Sequence, residues 1–390
     1  MTHIHFKLNF EELKEKVLGS DLEDVMKSAL VIVLNSFMEK ERDDYLEAAS
    51  YERTEGRKDY RNGYYERDYK VPVGTLKLHV PRTRKGEFSP SLFEKYTRSD
   101  QSLVLSMLEM VVNGVSTRKV TNIMEALCGE GVSKSMVSNI TKKLDPLVME
   151  WTNRPLNVKY YPYIYTDAMY IKVREHHKVV SKAVYIAVGV NEEKKREIIG
   201  MTVQHAESKE SWSRFLESLQ SRGLQSPKLV ISDAHEGLKQ AIQQRFIGTS
   251  WQRCTVHFKR NLFDTLPKKG REEAKRWIKR VFNASSVEEA RALKDQFLKA
   301  YEDQPRFTKV GELLEEGFDD AVQFMNEPVD YHVQLRTTNN VERINGEVRR
   351  RERVIRIFPN TQSAFRLIGA VLMDIEEQLD RGNRIYLKGT

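Results

Sequence analysis

Thiols are nearly absent from this chain: two cysteines, Cys128 and Cys254, stand far apart in 390 residues. That count excludes a disulfide-stapled framework and points to a reducing cytoplasm. Long apolar runs are missing too. The longest, such as AVYIAVGV at 183–190, fall far short of the ~20 residues a membrane-spanning helix needs. The opening stretch MTHIHFKLNFEELKEK has no apolar core of a secretory signal. No internal repeat or low-complexity tract interrupts the sequence. A soluble protein with no membrane partner is the expectation.

What is present is length and charge. The chain is long enough for two or three domains and a substantial core. Lysine and arginine number 64 against 56 acidic residues, a net charge of +8. Spread over so large a protein, that excess suits a polyanionic partner such as nucleic acid without proving one.

The apolar periodicity changes along the chain. Residues 9–49 read as two amphipathic helices meeting near Gly19 and Ser20, so 1–55 is a helical region. Leu22, Val25, Met26, Leu30, Ile32, Val33, Leu34 and Phe37 give more apolar surface than one small helix can hide. A second copy or another domain is expected to cover it. In 56–95, YKVPV and TLKLHV around Gly74 predict a β-hairpin. Arg57, Lys58, Arg61, Arg82 and Arg84 interleave there with Tyr60, Tyr64, Tyr65 and Tyr69. The pattern suits phosphate contact plus stacking, and equally a small sheet with a tyrosine core and wet arginines. In 96–152, two helical runs joined at Gly129–Val132, with caps at Ser116 or Thr117 and at Ser133, predict a helix-turn-helix. Ser133, Lys134, Ser135 and Asn139 would open its second helix, where short polar side chains meet a DNA groove.

From 158 to 257 three strand-like runs follow one another: YPYIYTDAMYIKV, KAVYIAVGVN and EIIGMTVQ. A helix, the strand run KLVISD, another helix and a short strand at SWQRCTVHF complete the stretch. That order is the order of a ribonuclease-H-like α/β core. Residues 258–335 read as an all-helical insertion, and 336–390 as closing helices of the core.

Three carboxylates stand out. Asp167 lies mid-strand, where propensity disfavours it and burial demands a partner. Asp233 ends the strand LVISD, at the sheet edge where ligands gather in open α/β folds; its plain alternative is a helix N-cap. Glu342 opens RTTNNVERINGEVRRRERVIR at 336–356; its plain alternative is a capping box with Asn339. At about 100° per residue, Glu342, Arg349, Arg353 and Arg356 share one helical stripe, with Arg350 beside it, while Glu347 points about 140° away. Carboxylates beside an arginine ladder fit a cation held against a phosphate track. Oxygen-only ligation suits Mg²⁺, two ions acting together, with Mn²⁺ as a substitute.

Taken together, GRKDYRNGYYERD, VPVGTLKLHVPRTRKGEFSP, NGVSTRKVTNIMEALCGEGVSKSMVS, YTDAMYIKVRE, VISDAHEGLKQAI, RCTVHFKRNL and RTTNNVERINGEVRRR resemble the Mutator-type transposases of bacterial insertion sequences. The likeness spans nearly the entire chain. It implies a DDE enzyme whose acidic triad falls on Asp167, Asp233 and Glu342, with a cysteine–x–x–histidine element at Cys254 and His257. It further implies binding of double-stranded DNA at terminal inverted repeats, strand cleavage and transfer, an excised circular intermediate, and a homodimer. Rival readings are a nuclease without strand transfer, a DNA-binding regulator that has lost catalysis, and a helical scaffold. Two thiols cannot easily complete a four-ligand zinc site, so Cys254 and His257 read as support near Asp233. Trp251 reads either as a platform for an unpaired base or as a buried strand residue.

Overall fold

The computed structural model describes residues 22–48, 58–71, 73–93, 101–128, 132–382 and 385–387. Two compact units divide at Lys142 and Lys143. The expected turn at Gly19–Ser20 and the candidate DNA contact Arg57 lie outside the described residues.

In the first unit, helix α1 (Leu22–Leu46) precedes a hairpin of β1 (Arg61–Val71) and β2 (Gly74–Thr83). Gly74 closes the turn opposite Val71 at φ +116°, a conformation glycine adopts without a Cβ clash. Leu30, Val31, Leu34 and Met38 of α1 pack against Tyr69, Val71, Leu76, Leu78 and Val80 of the hairpin. Of the apolar helix residues expected to need cover, Leu30 and Leu34 find it within their own unit, while Met26 is 47% exposed. Helices α2 (Gln101–Val112), α3 (Thr117–Cys128) and α4 (Lys134–Thr141) form a trio around Leu103, Met107, Val120, Met124, Val137 and Ile140. Ser133 caps α4 by accepting from the Met136 N–H, as its position before the apolar run predicts.

The second unit begins with α5 (Leu144–Asn153), which the sequence reading joins to the preceding helix pair. Its side chains belong here instead. Arg366 forks onto Asp145 at 2.5 and 2.9 Å, and Glu376 accepts from Trp151 and Arg154. A five-stranded mixed sheet follows, built from β3 (Tyr163–Glu175), β4 (Lys178–Val190), β5 (Arg196–Gln204), β6 (Leu229–Ser232) and β7 (Ser250–Arg253). The order across it is β5-β4-β3-β6-β7. The first three strands run antiparallel; β6 and β7 join parallel to β3. Residues 183–190 of β4 are all buried, which is why that strand is apolar without alternation. Helices α6 (Lys209–Ser221) and α7 (Glu236–Arg245) carry Trp212, Phe215, Leu219, Leu238 and Ile242 into a core with Tyr185 and Val230.

After β7 the chain is helical through α8 (Thr255–Thr265), α9 (Arg271–Val281), α10 (Val287–Tyr301), α11 (Thr308–Ala321) and α12 (His332–Leu335). It returns as α13 (Asn339–Ile355) and α14 (Thr361–Arg381). Between these two, Arg356 adopts φ +63°, and the Ile357 N–H donates to Ile355 O at 2.8 Å. This tight reversal ends α13 and lets Phe358 bond to β3 through Lys172 O and Arg174 N–H.

Candidate active site

The parallel register explains how two distant aspartates meet. Tyr165 of β3 stands opposite Ile231 of β6, so two further residues on each strand lead to Asp167 and Asp233. Strand β6 ends at Ser232, which puts Asp233 at its carboxyl edge. Its carboxylate does not cap α7. His235 does, accepting from the Leu238 N–H. The plain reading of Asp233 as a cap therefore fails.

Helix α13 supplies Glu342. Its N-cap is Thr338 rather than the expected Asn339, and no side-chain cap bond forms. The Thr338 hydroxyl instead lies 2.9 Å from Glu342 Oε1, 3.3 Å from Cys254 Sγ and 3.5 Å from Asp233 Oδ1. It carries one proton, and the shortest contact directs that proton to Glu342. The capping-box reading of Glu342 thus fails as well.

Each acid has a distinct partner. Asp167 Oδ2 accepts from Asn345 Nδ2 at 2.6 Å, and its Oδ1 accepts from the Ala168 N–H. Asp233 Oδ1 lies 2.5 Å from His257 Nδ1, and His257 Nε2 lies 3.8 Å from Glu342 Oε1. One imidazole therefore sits between two carboxylates. Burial, and after it the charge of Asp233, pushes the Asp167 carboxyl up to about 7, with Glu342 adding to the rise. A fourth acid, Glu207, joins the edge of this group. Burial raises its pKa and Asp233 adds to the rise, while His235, 3.3 Å away, opposes them.

Among the described residues, no lysine or arginine pairs with Asp167, Asp233 or Glu342. The donor set is an oxygen-rich cluster in which the charge of Asp233 acts on Arg253 without an ion pair, and its carboxylates are the kind of ligand a divalent cation such as Mg²⁺ takes. Among the described residues, the group whose three ligand atoms lie within 4.8 Å of one another is Asp233, Cys254 and His257, not the three carboxylates. Cys254 is fully buried there as the N-cap of α8.

Trp251 is 9% exposed, and its indole N–H donates to Ser232 Oγ at 2.8 Å. The Ser232 hydroxyl in turn donates to Asp233 O. Of the two readings of Trp251, the buried strand residue holds: the ring is core, braces the turn carrying Asp233, and offers no platform to a base.

The proposed DNA contacts divide. Arg349, Arg350, Arg353 and Arg356 are all exposed, but the helical stripe stops at Arg353 because Arg356 has left the helix. Glu347 holds the buried Arg351 as well as Arg350. In the first unit, Arg61 is engaged by Asp43 and Ala48 O, and Lys58 by Glu47. Arg82 lies over the Tyr65 ring and Arg84 near Tyr60. Ser133, Lys134, Ser135 and Asn139 are exposed on α4. Thr338, Asn345 and Glu207 escaped the sequence reading. Asn345 alone had a signal, lying three residues past Glu342 on the same helical face.

The whole arrangement falls inside a known family. Residues 1–382 match the model of the Mutator family of transposases, and the chain belongs to that family. Transposases as a class bind DNA and catalyse its cleavage and strand transfer. The chain is 50% identical over 387 residues to the transposase for insertion sequence element IS256 in transposon Tn4001 of Staphylococcus aureus, covering 99% of each chain. It is 39% identical to the ISRM5 transposase of Rhizobium meliloti, covering 98% of this chain and 95% of that one. Against the IS1081 transposase of Mycobacterium tuberculosis the identity is 34%, over 98% and 92% respectively. Among the described residues no helix is long and apolar enough to cross a membrane.

Proposed function

We propose that this protein is a DDE-type DNA transposase with a ribonuclease-H-like core, acting on the inverted repeats of its own insertion sequence. The observation that carries the reading is the convergence of Asp167, Asp233 and Glu342 on one edge of the sheet. The strand order, with a helical stretch inserted before the glutamate helix, supports the same assignment.

Asp167, Asp233 and Glu342 would hold Mg²⁺, two ions or Mn²⁺ in their place. When bound, the metal supplies Lewis-acid activation of an attacking oxygen and stabilises the leaving one. The chain's own residues do the rest. His257 holds Asp233, Thr338 holds Glu342, and Asn345 holds Asp167, so the three carboxylates keep their places against mutual repulsion. Arg349, Arg350 and Arg353 would run the DNA backbone along the exposed face of α13, with Arg356 beyond its end. Lys134, Ser135 and Asn139 on α4 would read the repeat, with Arg82 and Arg84 on the hairpin beside Lys58 and Arg61. Cleavage exposes 3′-hydroxyls that attack a second phosphodiester, and the element passes through an excised circle. A homodimer would pair the two ends, in a cytoplasmic protein associated with the nucleoid.

The test is incubation of the protein with Mg²⁺ and labelled duplexes carrying the flanking inverted repeats. Nicks at the repeat ends and joined strands are expected. A protein that binds the repeats but leaves them intact with Mg²⁺ and with Mn²⁺ contradicts the assignment.

A further inference from the structure

Helix α13 carries Glu342 and, three residues later on the same face, Asn345. Asn345 is 5% exposed, one of two buried carboxamides on this helix, the other being Asn340, which faces Arg196 rather than an acid of the site. Its Nδ2 donates to Asp167 Oδ2 at 2.6 Å, while its Oδ1 is buried with no partner. The orientation of the amide is not arbitrary. Turning it over would set the oxygen against the carboxylate, acceptor to acceptor. A buried acceptor left unmatched is destabilising, and an apolar side chain would carry no such acceptor.

We propose that Asn345 is a positioning residue of the acidic site. Its amide fixes Asp167, and its free carboxamide oxygen is an acceptor for the hydration shell of the cation. This rests on the metal-dependent reading above. One rigid helix then sets two of the three acids, Glu342 directly and Asp167 through Asn345. Partners of this kind hold a ligand's orientation, and their removal weakens metal affinity by roughly 10–100-fold.

The experiment measures Mn²⁺ binding to the full-length protein without DNA, from the electron paramagnetic resonance signal of free Mn²⁺, together with the melting temperature. Asn345→Leu keeps the branched outline of the side chain at greater bulk and Asn345→Ala leaves space; both remove the amide. A positioning role predicts that both variants lose Mn²⁺ affinity about tenfold or more, whichever of the two melts at the higher temperature. Affinity that follows stability instead, lost with alanine and kept with leucine, overturns the proposal and makes Asn345 a packing residue. Wild-type protein that binds no Mn²⁺ strikes the metal reading itself, a result distinct from wild-type binding that both variants share.

Discussion

His257 Nδ1 lies 2.5 Å from Asp233 Oδ1, and the opposite ring nitrogen lies 3.8 Å from Glu342 Oε1. A single side chain from α8 thus spans an acid just past the end of β6 and one on α13. His257→Ala should slow single-turnover cleavage about 10–100-fold, the usual scale for losing a ligand's hydrogen-bond partner. Binding of the repeat, read by gel shift, should stay within a factor of two. Equal losses in both would place His257 at the DNA rather than behind Asp233.

Asp167 gives a stability signature with a defined sign. Its carboxyl ordinarily titrates at 3.8 and is held at about 7 in the folded chain. A raised carboxyl pKa favours the folded state below the ordinary value, and that stability is lost as pH climbs through the folded pKa. Metal-free protein should therefore be less stable at pH 8 than at pH 5 through this group, by about 1–3 kcal/mol after allowance for coupling to its acidic neighbours. Asp167→Asn should flatten that slope and abolish cleavage while end binding persists. Thermal melts in chelator at the two pH values, beside a cleavage assay, decide it.

The exposed arginines of α13 predict a salt effect. Replacing Arg349 and Arg353 together by alanine should reduce the slope of log affinity against log salt by up to about 1.8, if each neutralises one phosphate. Arg351→Ala should act differently, lowering stability, because that guanidinium is buried against Glu347. An unchanged slope in the double variant would put the α13 arginines away from DNA.

The helix pair makes a prediction about specificity. Lys134→Ala with Asn139→Ala should weaken binding to the repeat more than binding to random duplex. Ser133→Ala should instead destabilise α4 by about 1 kcal/mol through its lost cap. Competition titrations with the two duplexes separate these outcomes.

Gly369 predicts a packing effect remote from the acids. A Cβ there would collide with Val148 of α5, where α5 lies against α14. Gly369→Ala should destabilise the second unit by about 1–3 kcal/mol, seen as a lower urea midpoint. An unshifted midpoint would mean the two helices separate freely.

Local chemistry was legible without coordinates. The period-two runs, the cap at Ser133, the hairpin turn at Gly74 and the out-of-place Asp167 are each properties of a few neighbouring residues, so they could be read directly. The arginine stripe was read one step too far, because the reversal at Arg356 comes from the tie of Phe358 to β3, a contact made across the fold. For the same reason α5 could not be assigned from its own sequence: its partners, Glu376 and Arg366, come more than 200 residues later.

By itself, then, the sequence determined which residues carry charge, which segments bury an apolar face, and where strands give way to helices. Those follow from side-chain chemistry at short range. Only the tertiary structure decided that Thr338 leaves its capping post for Glu342, that His235 rather than Asp233 caps α7, and that Asn345 reaches Asp167. Hydrogen-bond choice in a packed interior depends on which competing groups the whole fold brings within 3 Å or so, and no local pattern contains that information.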